Sequence, residues 1–178
     1  MKIRLPLGVC VLIALALVAF GLLYGTYGGY LDDRAQVMEL ENSVQDVLAY
    51  RGADGLNLCV VARRHLSAAD ADVLALESTA RRLQDEQLSL PQKAEANAQM
   101  DAAVAAVSTK LRQTPSFQAS DRDQKYLDMI SADLNSLSSS AAASPYHQAA
   151  AAFNAQLDAP LVGALARMLG IDPCPLYQ

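Results

Sequence analysis

Tryptophan is absent from the 178 residues, and aromatic side chains make up only 6%. Histidine occurs twice and cysteine three times. This scarcity excludes several chemistries. A zinc centre takes three or four ligands at characteristic spacing. His65 and His147 stand in no H-E-x-x-H, beside no cysteine pair and in no C-x-x-C-H. Neither a G-x-S-x-G elbow nor a phosphate-cradling loop occurs, and nucleophilic catalysis needs a hydroxyl or thiol beside an organised base. The 19 acidic residues are scattered, with no isolated pair in an apolar setting. The chain therefore reads as a non-enzyme without cofactor or metal. No basic stripe with interleaved aromatics is present either, which sets nucleic acid aside. Long runs of Val, Ile and Thr are missing, while alanine and leucine dominate, a composition that favours helix over strand.

What the chain does have is a long uncharged stretch near its start. Residues 5–31, LPLGVCVLIALALVAFGLLYGTYGGYL, carry no Asp, Glu, Lys or Arg. A bilayer core of about 30 Å is crossed by about 20 apolar helical residues. In lipid the backbone must satisfy its own hydrogen bonds, so such a run must be helical. Pro6 suits a first helical turn, where its missing N–H is not needed. Tyr24, Tyr27 and Tyr30 come next as an expected interfacial belt, with Gly25, Gly28 and Gly29 loosening the helix among them. Lys2 and Arg4 precede the run and Asp32 and Asp33 come after it, which places the N-terminus in the cytoplasm. The run is long for a cleaved signal peptide and has no A-x-A after it, so it reads as an uncleaved anchor.

Beyond the anchor, 32–178 is one domain's worth of chain and acidic: of the 14 basic residues two lie before the run, against 19 acidic ones beyond it. Apolar residues recur at three- and four-residue spacing in successive segments. Val37, Leu40, Val44, Val47 and Leu48 make the first stripe. Two glycines in Arg51-Gly52-Ala53-Asp54-Gly55 predict a kink or brief break, with helix resuming to His65. Ser67 as N-cap, with Asp70 at N3, opens a second helix with core residues Val73, Leu76, Ala80 and Leu83. Arg81 and Arg82 are spaced to pair with Asp85 and Glu86. Pro91 opens a third helix, with Ala96, Met100, Val104, Val107 and Leu111 inside, ending before Pro115. After a loop, Ser120 caps a fourth with stripe Tyr126, Ile130, Leu134 and Leu137. The serine-rich 136–140 reads as a weakly helical joint, and Pro145 predicts a further break. Helix resumes through Tyr146, Ala150, Phe153 and Leu157, and a last amphipathic piece, 161–169, ends at Gly170. Residues 172–175 read as an extended tail.

The expected fold class is all-α: a single N-terminal transmembrane helix (1–31), then an antiparallel four-helix-type bundle (32–178) with a short C-terminal helix. Cys59 and Cys174 both fall outside the cytoplasm in this topology; a disulfide and two buried thiols are equally open.

Several motifs resemble the LemA family. The block 146–173 resembles its closing segment, in which a Tyr-Asn pair recurs after seven residues before an apolar-Pro end. The pairs here are Tyr146-His147 and Phe153-Asn154, with Pro160 and Gly170-Ile171 in the later places. RGADGLNLCV (51–60) is similar to Arg-Arg-x-Asp-Leu-x-Pro-Asn-Leu-Val. Arg51, Asp54, Asn57 and Leu58 match, Gly52 replaces the second arginine, and the proline is missing. LESTARRL (76–83) resembles the family's Ala-Arg element. The resemblance implies one N-terminal membrane helix and a mostly helical bundle, and no established reaction.

Two polar groups stand out as candidate interaction or structural residues. Arg51, Asp54 and Asn57 gather at the expected bend, where solvated side chains are the plainer explanation. Tyr146, Phe153 and Asn154 lie on one face, where rings seven apart fill a core and Asn154 ties the last helix to the first. The expected function is an interaction or scaffold surface on a bacterial envelope protein, or an adaptor to an envelope enzyme such as a protease. The expected partners are the bilayer, through residues 5–31, and an envelope protein. The expected location is the bacterial inner membrane, with the bundle periplasmic or extracellular.

Overall fold

A computed structural model describes residues 6–137 and 139–177; the side chains of Leu7, Ala19, Leu22, Leu23 and residues 139–142 also lie outside the description. So do Lys2 and Arg4 of the positive flank and Ser138 of the serine-rich joint. The described chain is all-helical. Its elements are α1 (Leu7–Ala62), α2 (Ala71–Gln84), α3 (Leu90–Gln113), α4 (Pro115–Gln118), α5 (Asp121–Ser136), α6 (Ser139–Leu157) and α7 (Val162–Met168). Among the described residues, no helix is long and apolar enough to cross a membrane.

The chain forms two compact units. One comprises Met1–Met38 and Ala149–Cys174, the other Glu39–Gln148 and Pro175–Gln178. Helices α1 and α6 each contribute residues to both.

In the larger unit the expected break at Gly52 and Gly55 does not occur. Helix α1 is uninterrupted at both glycines, and at Gly25, Gly28 and Gly29 in the smaller unit. Gly52 and Gly55 serve packing instead. A Cβ on Gly52 would stand 2.7 Å from the Ala80 carbonyl oxygen and 3.2 Å from Leu83 Cβ. One on Gly55 would stand 2.3 Å from Met100 Cε and 3.0 Å from Ala80 Cβ. The missing side chains let α1 lie directly on α2 and α3. An alanine ordinarily favours a helix interior by about 1 kcal/mol over glycine. Gly52→Ala is nevertheless expected to destabilise, because the obstacle is backbone. Gly55→Ala is expected to cost less, because a methionine methyl can swing aside. Denaturant midpoints of the two variants check this order.

Leu48, Leu58, Val73, Leu76, Ala80, Leu83, Met100, Val107 and Leu111 fill the core of this unit. The α2 stripe is as the spacing predicts. Its cap is not: Asp70, rather than Ser67, is the N-cap and accepts from the Asp72 and Val73 N–H groups. The Ser67 hydroxyl instead accepts from Ala69 N–H at 3.2 Å, a local turn. A carboxylate at the helix end also meets the macrodipole, and Lys110 Nζ holds it at 3.1 Å. Arg81 pairs with Glu77 at 2.8 Å and Arg82 with Glu95 at 3.2 Å, not with Asp85 and Glu86. Ser89 caps α3 through a capping box with Gln92, with Pro91 in the first turn. Residues 115–118 of the expected loop form the single turn α4. Ser120 caps α5 by accepting from Asp123 N–H. The buried side of α5 is Asp123, Leu127, Ile130 and Leu134, whereas Tyr126 is exposed. Helix α6 continues through Pro145, the seventh of its 19 residues, so the expected break does not occur even though a proline there donates no bond to the turn before it.

In the smaller unit Tyr30 is buried, not part of an interfacial belt. Its hydroxyl donates to the Gln156 carbonyl at 2.9 Å, and its ring meets Phe153 edge-on at 6.3 Å. Gly170 takes φ +87°, the left-handed stop expected after the last helix.

Candidate functional site

Arg51 lies on the inward face of α1, 4% exposed, so it is not a solvated residue at a bend. Its Nε donates to Asn97 Oδ1 at 2.8 Å. Its Nη1 donates to the carbonyls of Leu134 at 2.9 Å and Leu137 at 3.0 Å, and Nη2 to Asp101. Leu134 lies in the last turn of α5 and Leu137 is its C-cap, where carbonyls lack an intrahelical donor. A planar fork with five donors reaches several acceptors at once, and its charge complements the negative helix end. Asn97 in turn donates to the Tyr177 hydroxyl at 3.2 Å. Arg51 is thus a buried staple of α1, α3 and α5.

Asp54 and Asn57 point elsewhere, into a hollow of about 430 Å³ between α1 and α5. Val60, Val61, Met129 and Ile130 supply its apolar wall; Arg64, Tyr126 and Asp133 complete the polar one. A second hollow of about 400 Å³ adjoins it along the same two helices, sharing Asp54 and Asp133 and opening beside Tyr50. Burial raises the Asp54 carboxyl above its ordinary value and the Asp133 charge raises it further, opposed by a hydrogen bond from Asn57. Two carboxylates on an apolar groove attract a cationic group. Asp133→Asn is expected to bring Asp54 part of the way back toward its ordinary value, since burial, the larger cause, stays; carboxyl-resolved NMR titration reads this.

Where α1 ends, Arg64 and His65 meet the start of α5. Asp123, 3% exposed, accepts from Arg64 at 2.6 Å and from Arg122 at 3.3 Å, and His65 Nε2 lies 2.8 Å from its other oxygen. His65 Nδ1 lies 3.1 Å from Ser116 Oγ, and the ring meets Phe117 edge-on at 5.4 Å. With the carboxylate as acceptor, Nε2 carries the proton. A serine, a histidine and an aspartate in one relay can activate a hydroxyl. Here two arginines share the aspartate, and the cluster joins the exit of α1 to α4 and α5.

Tyr146 and Phe153 are core residues, each almost wholly buried. The Tyr146 hydroxyl donates to the Pro175 carbonyl. Asn154 does not tie the last helix to the first. Its side chain donates to the Cys174 carbonyl at 2.9 Å and accepts from Cys174 N–H at 2.8 Å, clamping the extended tail. Cys59 is a free thiol pointing at the Val73 carbonyl, and burial with Glu77 nearby pushes it up to about 11, which leaves it protonated and unreactive at neutral pH.

Arg64, Tyr126, Asp133 and the pair His65–Asp123 are the residues that sequence reasoning missed. One signal was available: Tyr126, Met129 and Asp133 share one face of α5 at spacings of three and four, outside the buried stripe. Among the described residues no group of three or more His, Cys, Asp or Glu is placed to hold a metal ion. Compared with known proteins, no family model matches the chain, and no curated protein matches it either.

Proposed function

We propose that this is a membrane-anchored, non-catalytic interaction protein of the bacterial envelope. Residues 5–31 act as a single-pass anchor with the N-terminus cytoplasmic, and the remaining helices form an antiparallel bundle outside the cytoplasm. The bundle presents the acidic α1/α5 groove to a partner protein. One observation carries the reading: the uncharged run is helical from Leu7, and its described large side chains between Val9 and Tyr24 are exposed, with Leu12, Leu17 and Phe20 67, 66 and 68% exposed. Exposed apolar surface on this scale is unfavourable in water and favourable in hydrocarbon. Kinship with the LemA family is part of the proposal. It is supported by the order of the run, the Arg51–Leu58 motif and the Tyr146–Asn154 pairs.

The test has two arms. A tag after Gln178 should be cut by protease added to spheroplasts and protected in inverted vesicles; the opposite pattern overturns the topology. A photo-crosslinker at Met129, on the groove, should capture a membrane or periplasmic protein that Asp133→Lys releases. Capture of a hydrolase whose rate the chain changes makes the protein an adaptor; capture unaffected by Asp133→Lys removes the groove from the proposal.

A further inference from the structure

The smaller unit carries a second apolar surface that its core does not need. Leu161, Met168 and Leu169 are 81, 83 and 59% exposed, and Val162 and Leu165 are exposed too. All five lie on or beside α7. Between α7 and α1 is an apolar hollow of about 560 Å³, lined by Phe20, Tyr24, Tyr27, Leu165, Met168 and Leu169. Phe20 and Tyr24 stack at 6.4 Å on its α1 side.

The turn into α7 is strained in a way that turns a leucine outward. Leu161 has φ 71° and ψ −63°, and Val162 N–H donates to the Pro160 carbonyl at 3.0 Å. This is a γ-turn of the rare positive-φ kind, at a branched apolar residue. In water, such an apex combines backbone strain with an exposed side chain. Strain of this kind persists where the surroundings hold it and is a pointer to function. Gly163 sets the close seat of α7: a Cβ there would stand 2.1 Å from the Leu157 carbonyl oxygen, so α7 starts directly on the end of α6. The Tyr30–Gln156 bond and the Tyr30–Phe153 ring contact hold that end of α6 to α1 within the same unit. The level of α7 along α1 is therefore set, beside positions 20–27 at the exit of the uncharged run. The one basic residue of α7, Arg167, pairs with Asp158, as a side chain reaching up to the polar boundary would.

We propose that α7 and the Leu161 turn are a second membrane contact. They dip into the bilayer beside α1, and a phospholipid acyl chain fills the hollow between α7 and Phe20–Tyr27. The inference rests on residues 5–31 being the anchor, and adds that the chain is held in one leaflet by a short interfacial helix as well.

The absence of native tryptophan makes a direct test possible. Single Phe20→Trp, Met168→Trp and Met129→Trp variants of the full chain are reconstituted into phosphatidylcholine vesicles with brominated acyl chains. Phe20→Trp and Met168→Trp should both emit blue-shifted light and lose intensity to brominated lipid. Met129→Trp, on the other unit, should be quenched by aqueous acrylamide instead. Leu161→Trp, in the turn itself, should behave like Met168→Trp. If Phe20→Trp is quenched by bromine while Met168→Trp and Leu161→Trp answer only to acrylamide, the second contact is wrong and the anchor stands. If Phe20→Trp also escapes brominated lipid, both fall.

Discussion

Replacing Arg51 by alanine is expected to cost about 3–5 kcal/mol of folding free energy. The guanidinium is almost fully enclosed and serves three buried or half-buried acceptors: Asn97 Oδ1 and the Leu134 and Leu137 carbonyls. Each buried acceptor left without a donor costs about 1–3 kcal/mol. The fourth contact adds little, because the Asp101 side chain is 81% exposed and exposed ion pairs are worth about 0–1 kcal/mol. Removing the side chain also leaves a void between α1, α3 and α5. Arg51→Lys should recover only a fraction, since one ammonium cannot span the Asn97 and α5 acceptors together. Urea unfolding of the full chain in detergent, monitored by circular dichroism, reads both. A loss below about 1 kcal/mol for the alanine variant would show that water replaces the guanidinium and that the staple is not structural.

The second large effect is expected at Asp123, and it depends on pH. Hydrogen bonds from His65 first, then from Arg64 and Ser120, with the Arg122 charge, lower this carboxyl to about 2 despite its burial. A carboxyl held lower in the folded chain than in the unfolded one stabilises the fold above the unfolded value. That contribution is lost as pH falls through the folded value. The wild-type chain should therefore lose stability between about pH 4 and about pH 2, and Asp123→Asn should be flatter over that window. At neutral pH Asp123→Asn should melt below wild type, with the gap closing toward pH 2. Thermal melts at stepped pH check this. A gap that stays constant with pH would mean that Asp123 acts through shape rather than charge.

How much of the fold and the groove was legible in the sequence depends on the range of the interaction concerned. Helical spacing showed the α2 core of Val73, Leu76, Ala80 and Leu83, and local chemistry showed the Ser120 cap and the stop at Gly170. These depend on neighbours within one or two turns. Gly52 and Gly55 were misread because two glycines weaken an isolated helix, whereas here α2 and α3 lie against them and hold it. Ser67 lost the cap to Asp70 for a similar reason: Lys110, forty residues away, rewards a carboxylate there. Tyr126 was assigned to the core because its spacing allowed it; Ile130 and Leu134 are buried as expected, but Leu127 and Asp123, not Tyr126, complete their face. Arg51 and Asp54 lay together in the sequence and parted in space. Three residues along a helix fall short of a full turn, and that remainder separates the core from the groove.

The order of residues alone determined the helical class, most helix limits and the uncharged run, because these depend on periodicity, composition and local backbone chemistry. Only tertiary structure decided that Arg51 staples three helices, that Asp54 meets Asp133 in a groove, that His65 closes on Asp123, and that α7 turns its apolar side chains outward beside α1. Each of those joins residues far apart in the chain. The free energy that brings them together comes from the shared burial of whole helix faces, which no single segment encodes.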